Sequence, residues 1–101
     1  YIEKPQDVPA IRQNDIVIDA ILGSGLSRST DGIVKAVIEA INRSPALVIS
    51  IDIASGLYAD RPNQPGDTIV EPDHTVTFQL PKLALVLPKN GKNVGQWHVL
   101  D

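Results

Sequence analysis

Apolar and polar positions divide the chain sharply at Ile16. Residues 1–15 are polar and interrupted by Pro5 and Pro9, which predicts an approach loop. Residues 16–22, Ile-Val-Ile-Asp-Ala-Ile-Leu, form a β-branched apolar run closed by Gly23, the pattern of a short strand buried on both faces. Asp19 is the exception inside it. After the loop at residues 23–29 the period changes. Ile33, Val37 and Ile41 recur every four residues with Val34 and Ile38 beside them, so a helix lays one apolar stripe on a sheet. Ser29 or Thr30 can cap that helix, Asp31 suits the positive end of its dipole, Glu39 and Arg43 stand four apart, and Pro45 stops it. Residues 46–53 give a second buried strand, again followed by a glycine-containing turn, Ala54-Ser55-Gly56. A strand, a helix and a strand in that order predict parallel pairing.

The remainder is less regular. Residues 58–74 hold Pro62, Pro65, Gly66 and Pro72 among polar groups and read as a surface loop of the length that is usually functional or mobile. Residues 75–80 form a third strand ended by Pro81. The apolar piece at residues 83–87 fits helix and strand equally, and residues 89–93 form a turn. Residues 94–100 are a closing edge strand with Trp97 and Val99 on one face and Gln96 and His98 on the other. Trp97 reads as core, and His74 and His98 as solvated or structural.

Composition narrows the class. With 101 residues, 43% hydrophobic and 21% charged, the chain reads as one soluble unit that buries only roughly 60–65% of its unfolded surface, so help from a partner is expected. The net charge of −3 and scattered Lys and Arg argue against nucleic acid. Without cysteine there are no disulfides, no thiolate catalysis and no cysteine zinc site. Neither a membrane-length apolar run nor a signal peptide is visible, which makes cytoplasmic location the default. The absence of methionine suggests a segment of a longer protein.

Both βα-type turns leave the carboxyl ends of parallel strands, so Gly23-Ser24-Gly25 and Ala54-Ser55-Gly56 are expected to share one edge, where open α/β sheets bind ligands. The first turn also opens a helix, whose free N–H groups attract a phosphate. Asp19 and Asp52 are expected inside or at the end of buried strands, where a carboxylate needs compensation from a cation or several donors. A lone strand-end aspartate is usually held by backbone N–H groups, but two on neighbouring strand ends favour a hard cation bound by carboxylate, the Ser55 hydroxyl and loop carbonyls. Other signatures fail. Gly23-x-Gly25 lacks the third glycine of a dinucleotide fingerprint, residues 53–56 lack the first glycine of a nucleophile elbow, and Gly91-Lys92 is no phosphate loop.

Three segments in order, Asp19-Ala20-Ile21-Leu22-Gly23-Ser24-Gly25-Leu26, Ser50-Ile51-Asp52-Ile53-Ala54-Ser55-Gly56-Leu57 and Thr75-Val76-Thr77-Phe78-Gln79-Leu80-Pro81-Lys82, resemble the NAD(P)H-hydrate epimerase family. The resemblance runs from Asn14 to Asp101. It implies an α/β fold, part of a three-layer Rossmann-like sandwich with a mostly parallel sheet and flanking helices, of which residues 1–101 would be the carboxyl-terminal half of one epimerase domain. It further implies an isomerase that interconverts the R and S epimers of hydrated NADH and NADPH in nicotinamide nucleotide repair, beside a fused or separate dehydratase. Carried over by position, Asp19 and Ser55 would bind a potassium ion. Gly23, Ser24, Gly25, Leu26, Ser27, Arg28, Ser29 and Asp52 would bind the hydrated nucleotide, with Asp52 also the catalytic proton-handling group. Lys82 lies in the third segment and receives no catalytic role. Ala54 stands where the family usually has proline, and the family's asparagine- and glycine-rich phosphate loop would precede Tyr1. Without that half the segment could be inactive, or its open sheet edge could pair with a second copy. A noncatalytic binding module and half of a dinucleotide-dependent oxidoreductase are the alternative readings.

Overall fold

The computed structural model describes residues 1–23, 29–79 and 81–100. Its apolar runs become four strands, β1 (Ile16–Asp19), β2 (Leu47–Ile51), β3 (His74–Phe78) and β4 (Gln96–Leu100). All pair in parallel in the spatial order β1-β2-β3-β4, with Asp19 opposite Ser50, Ser50 opposite Thr75, and Thr75 opposite Trp97. Helix α1 (Gly32–Arg43) joins β1 to β2, and a single helical turn, α2 (Leu83–Val86), settles the ambiguous apolar piece after β3. The architecture is α/β, a partial Rossmann-like sandwich.

Strands end earlier than the apolar runs because side chains and tight turns take over the backbone groups. After Asp19 the next amides turn to side-chain acceptors, Ile21 N–H to Asp19 Oδ1 at 3.4 Å and Leu22 N–H to Ser55 Oγ at 2.8 Å. β2 stops where Asp52 adopts φ 71°, and β3 stops where Gln79 adopts φ 60°. Helix α1 begins one or two residues later than expected. Asp31 occupies the cap position in extended geometry without a side-chain cap bond. Ser29 and Thr30, the expected caps, instead bond the long loop, Ser29 Oγ–H donating to Asp67 Oδ1 at 2.5 Å and Thr30 Oγ1–H to the Thr68 carbonyl at 2.9 Å. At the other end Ser44 donates N–H and Oγ–H to the Ile41 carbonyl before Pro45.

The core lies on one face. Ile38 and Ile41 of α1 pack with Val48 of β2 and with Ile53, Leu57, Val70, Leu85 and Val94 from the connecting segments. The loop over residues 58–74 is therefore more than surface: Tyr58, Val70 and Pro72 are buried, and Asn42 of α1 clamps it by donating to the Ile69 carbonyl at 2.8 Å and accepting from Glu71 N–H at 2.8 Å. The opposite face corrects the expectation of strands buried on both sides. Ile16 is 63% exposed, Ile18 56%, Leu47 40% and Phe78 47%, because the described core-forming segments gather on the Val17 and Val48 side. Trp97 is likewise 41% exposed and not core, since β4 lies at the sheet edge. His74 and His98 meet each other across β3 and β4, with Nδ1 and Nε2 3.2 Å apart. Among the described residues no helix is long and apolar enough to cross a membrane.

Candidate functional site

The carboxyl ends of β1, β2 and β3 bring together Asp19, Asp52, Ser55, Thr77 and Lys82, and the two aspartates there have opposite fates. Asp19 is fully buried. Its Oδ2 accepts from Ser50 Oγ–H at 2.6 Å and Ser55 N–H at 2.8 Å, and its Oδ1 from Ser55 Oγ–H at 2.5 Å and Ile21 N–H at 3.4 Å. A carboxylate offers about four lone-pair directions. The chain's own donors fill all of them, so a buried charge is compensated without a cation. Ser55 donates to Asp19 and accepts from Leu22 N–H at 2.8 Å. The oxygen chemistry suits potassium: among the described residues only Leu22 N–H donates to Ser55 Oγ, and a hydroxyl oxygen has two acceptor directions. Asp19 and Ser55 are the residues that would hold such an ion, through a carboxylate oxygen and the hydroxyl oxygen.

This network fastens the β1 turn to the β2 turn, as expected for two loops on one edge. Closure of the second turn depends on Gly56. Its φ of 96° is left-handed, and a Cβ there would lie 2.5 Å from the Thr68 carbonyl oxygen. Ala54, in the position where proline was expected, is fully buried and its carbonyl accepts from Leu57 N–H at 3.0 Å, so the turn closes with alanine.

Asp52 differs in backbone and in partner. Ile53 N–H donates back to the Ile51 carbonyl at 2.9 Å, across Asp52 at φ 71°, which makes a γ-turn of the rare positive-φ kind on a non-glycine residue. Such strain persists only where surroundings hold it, here through Asp52 N–H to the Val76 carbonyl at 2.6 Å. The turn delivers the Asp52 carboxylate, 24% exposed, to the Lys82 ammonium, which ion-pairs with Oδ1. The buried Thr77 hydroxyl completes the group, 3.4 Å from Asp52 Oδ1 and 3.3 Å from Lys82 Nζ. Lys82 stands at the cap position of α2, directly after Pro81, whose lack of an N–H bars a further strand residue. The cation that compensates Asp52 is thus a side chain thirty residues away, a pairing that neither periodicity nor spacing signals.

Of the residues expected to hold the nucleotide, Ser24, Gly25, Leu26, Ser27 and Arg28 lie outside the described residues. Gly23 is exposed, with open space where a Cβ would be, and Ser29 is exposed and bonded to Asp67. That contact, with Asn63 Nδ2–H at 3.0 Å and Gln64 N–H at 2.9 Å, ties the first turn to the long loop. The Ser29 bond above all holds the Asp67 carboxyl below its ordinary pKa, with Asn63 and Gln64 adding to it against partial burial. Sequence reading missed Asp67 because Ser29, the partner that matters most to its charge, lies 38 residues away.

Comparison with known proteins converges on one family. The sequence profile of the YjeF-related protein N-terminus matches residues 2–84. A bifunctional NAD(P)H-hydrate repair enzyme Nnr of Thermofilum pendens is 45% identical over 85 residues, 84% of this chain and 16% of that protein. An NAD(P)H-hydrate epimerase of Oenococcus oeni is 39% identical over 85 residues, 84% of this chain and 40% of the relative. Another, from Limosilactobacillus fermentum, is 34% identical over 95 residues, 94% of this chain and 45% of the relative. The chain therefore spans less than half the length of these relatives. With its parallel sheet, its paired turns and this match over most of its length, the chain belongs to the family of the YjeF-related protein N-terminus.

Proposed function

We propose that this chain supplies part of the catalytic domain of an NAD(P)H-hydrate epimerase, acting on hydrated NADH and NADPH. The observation that carries the reading is Asp52. A strained, half-buried carboxylate at the ligand-binding edge of a parallel sheet, in a chain whose relatives bear that activity in their names, is suited to proton transfer at the hydroxyl-bearing ring carbon. Epimerisation requires the configuration at that carbon to be released and reset without oxidation, so Asp52 would take the hydroxyl proton and return it. The turn over residues 23–29 belongs to the same proposal as the nucleotide contact. A dehydratase acting on the product, in the same polypeptide or a separate one, agrees with the bifunctional names of some relatives. Potassium belongs to the proposal as an ion held by Asp19 and Ser55.

The test is conversion of the R epimer of hydrated NADH to the S epimer by the full-length protein, in potassium chloride and in sodium chloride of equal ionic strength. Asp52→Asn is expected to lower the rate by about 10²–10⁴-fold, the usual contribution of a positioned acid or base. Conversion by the wild type no faster than the spontaneous rate would sink the reading. Equal rates in both salts would remove potassium from it.

A further inference from the structure

We propose that Lys82 is the second proton-transfer group of this site, the acid that serves the ring nitrogen while Asp52 serves the hydroxyl; the inference rests on the epimerase reading. Lysine ammonium has three donors. Asp52 Oδ1 takes one and the Thr77 hydroxyl, 3.3 Å away, takes another, which leaves the third for a ligand at the carboxyl edge of the sheet. Each anchor is itself fixed. Thr77 is fully buried in β3, and Asp52 is aimed by its positive-φ γ-turn and by the bond from its N–H to Val76. Pro81 and the start of α2 set the backbone of Lys82, while Ala84 and Leu85, next in sequence, are buried in the core. A simple surface ion pair needs none of this. Its side chains would be free to reorient, and no strained backbone would hold one partner in place.

The chemistry requires a pair of opposite groups in contact. In the hydrated nicotinamide ring the reacting carbon bears a hydroxyl and is bonded to the ring nitrogen. Asp52 removes the hydroxyl proton, the oxygen electrons form a C=O bond, and the C–N bond breaks with its electron pair going to nitrogen. Lys82 then protonates that nitrogen. The product is an open-chain aldehyde bearing an enamine N–H, and rotation about the adjacent C–C bond turns the other carbonyl face toward nitrogen. Closure is the reverse: Lys82 takes the N–H proton as nitrogen attacks carbon, and Asp52 returns its proton to oxygen. No atom is gained or lost and no oxidant is needed. Closure thus returns Asp52 to its carboxylate and Lys82 to its ammonium, the states in which the cycle began. Among the described residues, Asp52 is the charged group that ion-pairs with Lys82.

The experiment uses the full-length protein and three variants, with folding checked by thermal unfolding. Lys82→Met keeps the apolar stem and removes the proton. Lys82→Arg keeps the charge, but a guanidinium does not give up its proton in the working pH range. Both are expected to lower kcat at least 100-fold with KM changed only a few-fold. Methylamine is expected to restore part of the rate to Lys82→Ala, in proportion to its concentration. Full activity in Lys82→Arg would show that the charge alone suffices and overturn the proposal, as would a folded Lys82→Met variant with wild-type kcat. A wild-type protein without epimerase activity would overturn the epimerase reading itself, an outcome distinct from active variants.

Discussion

Asp52 and Gly56 stand four residues apart and both carry positive φ, yet the same backbone feature has different meanings at each. At Gly56 it is a packing requirement: the chain passes so close to Thr68 that only hydrogen fits. Gly56→Ala adds left-handed strain and a clash with a main-chain carbonyl, which cannot rotate aside, so a loss of about 2–4 kcal/mol is expected. Urea unfolding of the variant and the wild type measures it, and a loss under about 1 kcal/mol would mean that the turn shifts to make room. At Asp52 every residue but glycine would suffer the strain, and the side chain is the reason to bear it. Asp19 is the counter-case at this scale. Its position inside an apolar run was legible, but its role was not: the serines that satisfy it come from another strand and another turn, and no local pattern assigns them to it.

At the scale of elements, the strands and α1 were legible because β-branched runs and a four-residue apolar repeat leave few alternatives. Their ends were less so, since they depend on which distant group captures the next amide or hydroxyl. Ser29 and Thr30 illustrate this: both have the chemistry of a helix cap, and both are claimed by the loop at Asp67 and Thr68. That loop carries an acid-sensitive latch. Asp67 has a lowered pKa in the folded chain, chiefly through Ser29, so the folded state binds its proton less readily than the unfolded state. The stability it contributes is present above the ordinary aspartate value of about 3.9 and is lost as pH falls through the lower folded value. Asp67→Asn is therefore expected to flatten the pH dependence of stability below about pH 4. Thermal unfolding of both proteins across that range measures it, and parallel curves would show that the latch does not contribute.

At the scale of the molecule, the parallel order and the shared edge of the two turns were readable from alternating strand and helix signals, and the three motif segments pointed to the family to which the chain belongs. What the chain could not announce was its asymmetry. Apolar runs report that a strand prefers burial, not whether both of its faces obtain it, and here Ile16, Ile18, Leu47 and Phe78 keep an open side.

That open side turns the sheet into a phase problem. A contiguous apolar surface favours self-association, and salts excluded from protein surfaces strengthen the tendency. Residues 1–101 on their own should thus have a saturation concentration that falls steeply with added sulfate. Ile18, 56% exposed and opposite Ile49, is the position to perturb. Ile18→Lys is expected to change folding stability by less than about 0.5 kcal/mol, as exposed substitutions do, while raising the sulfate concentration at which light scattering begins. An unchanged onset would assign precipitation to some other surface.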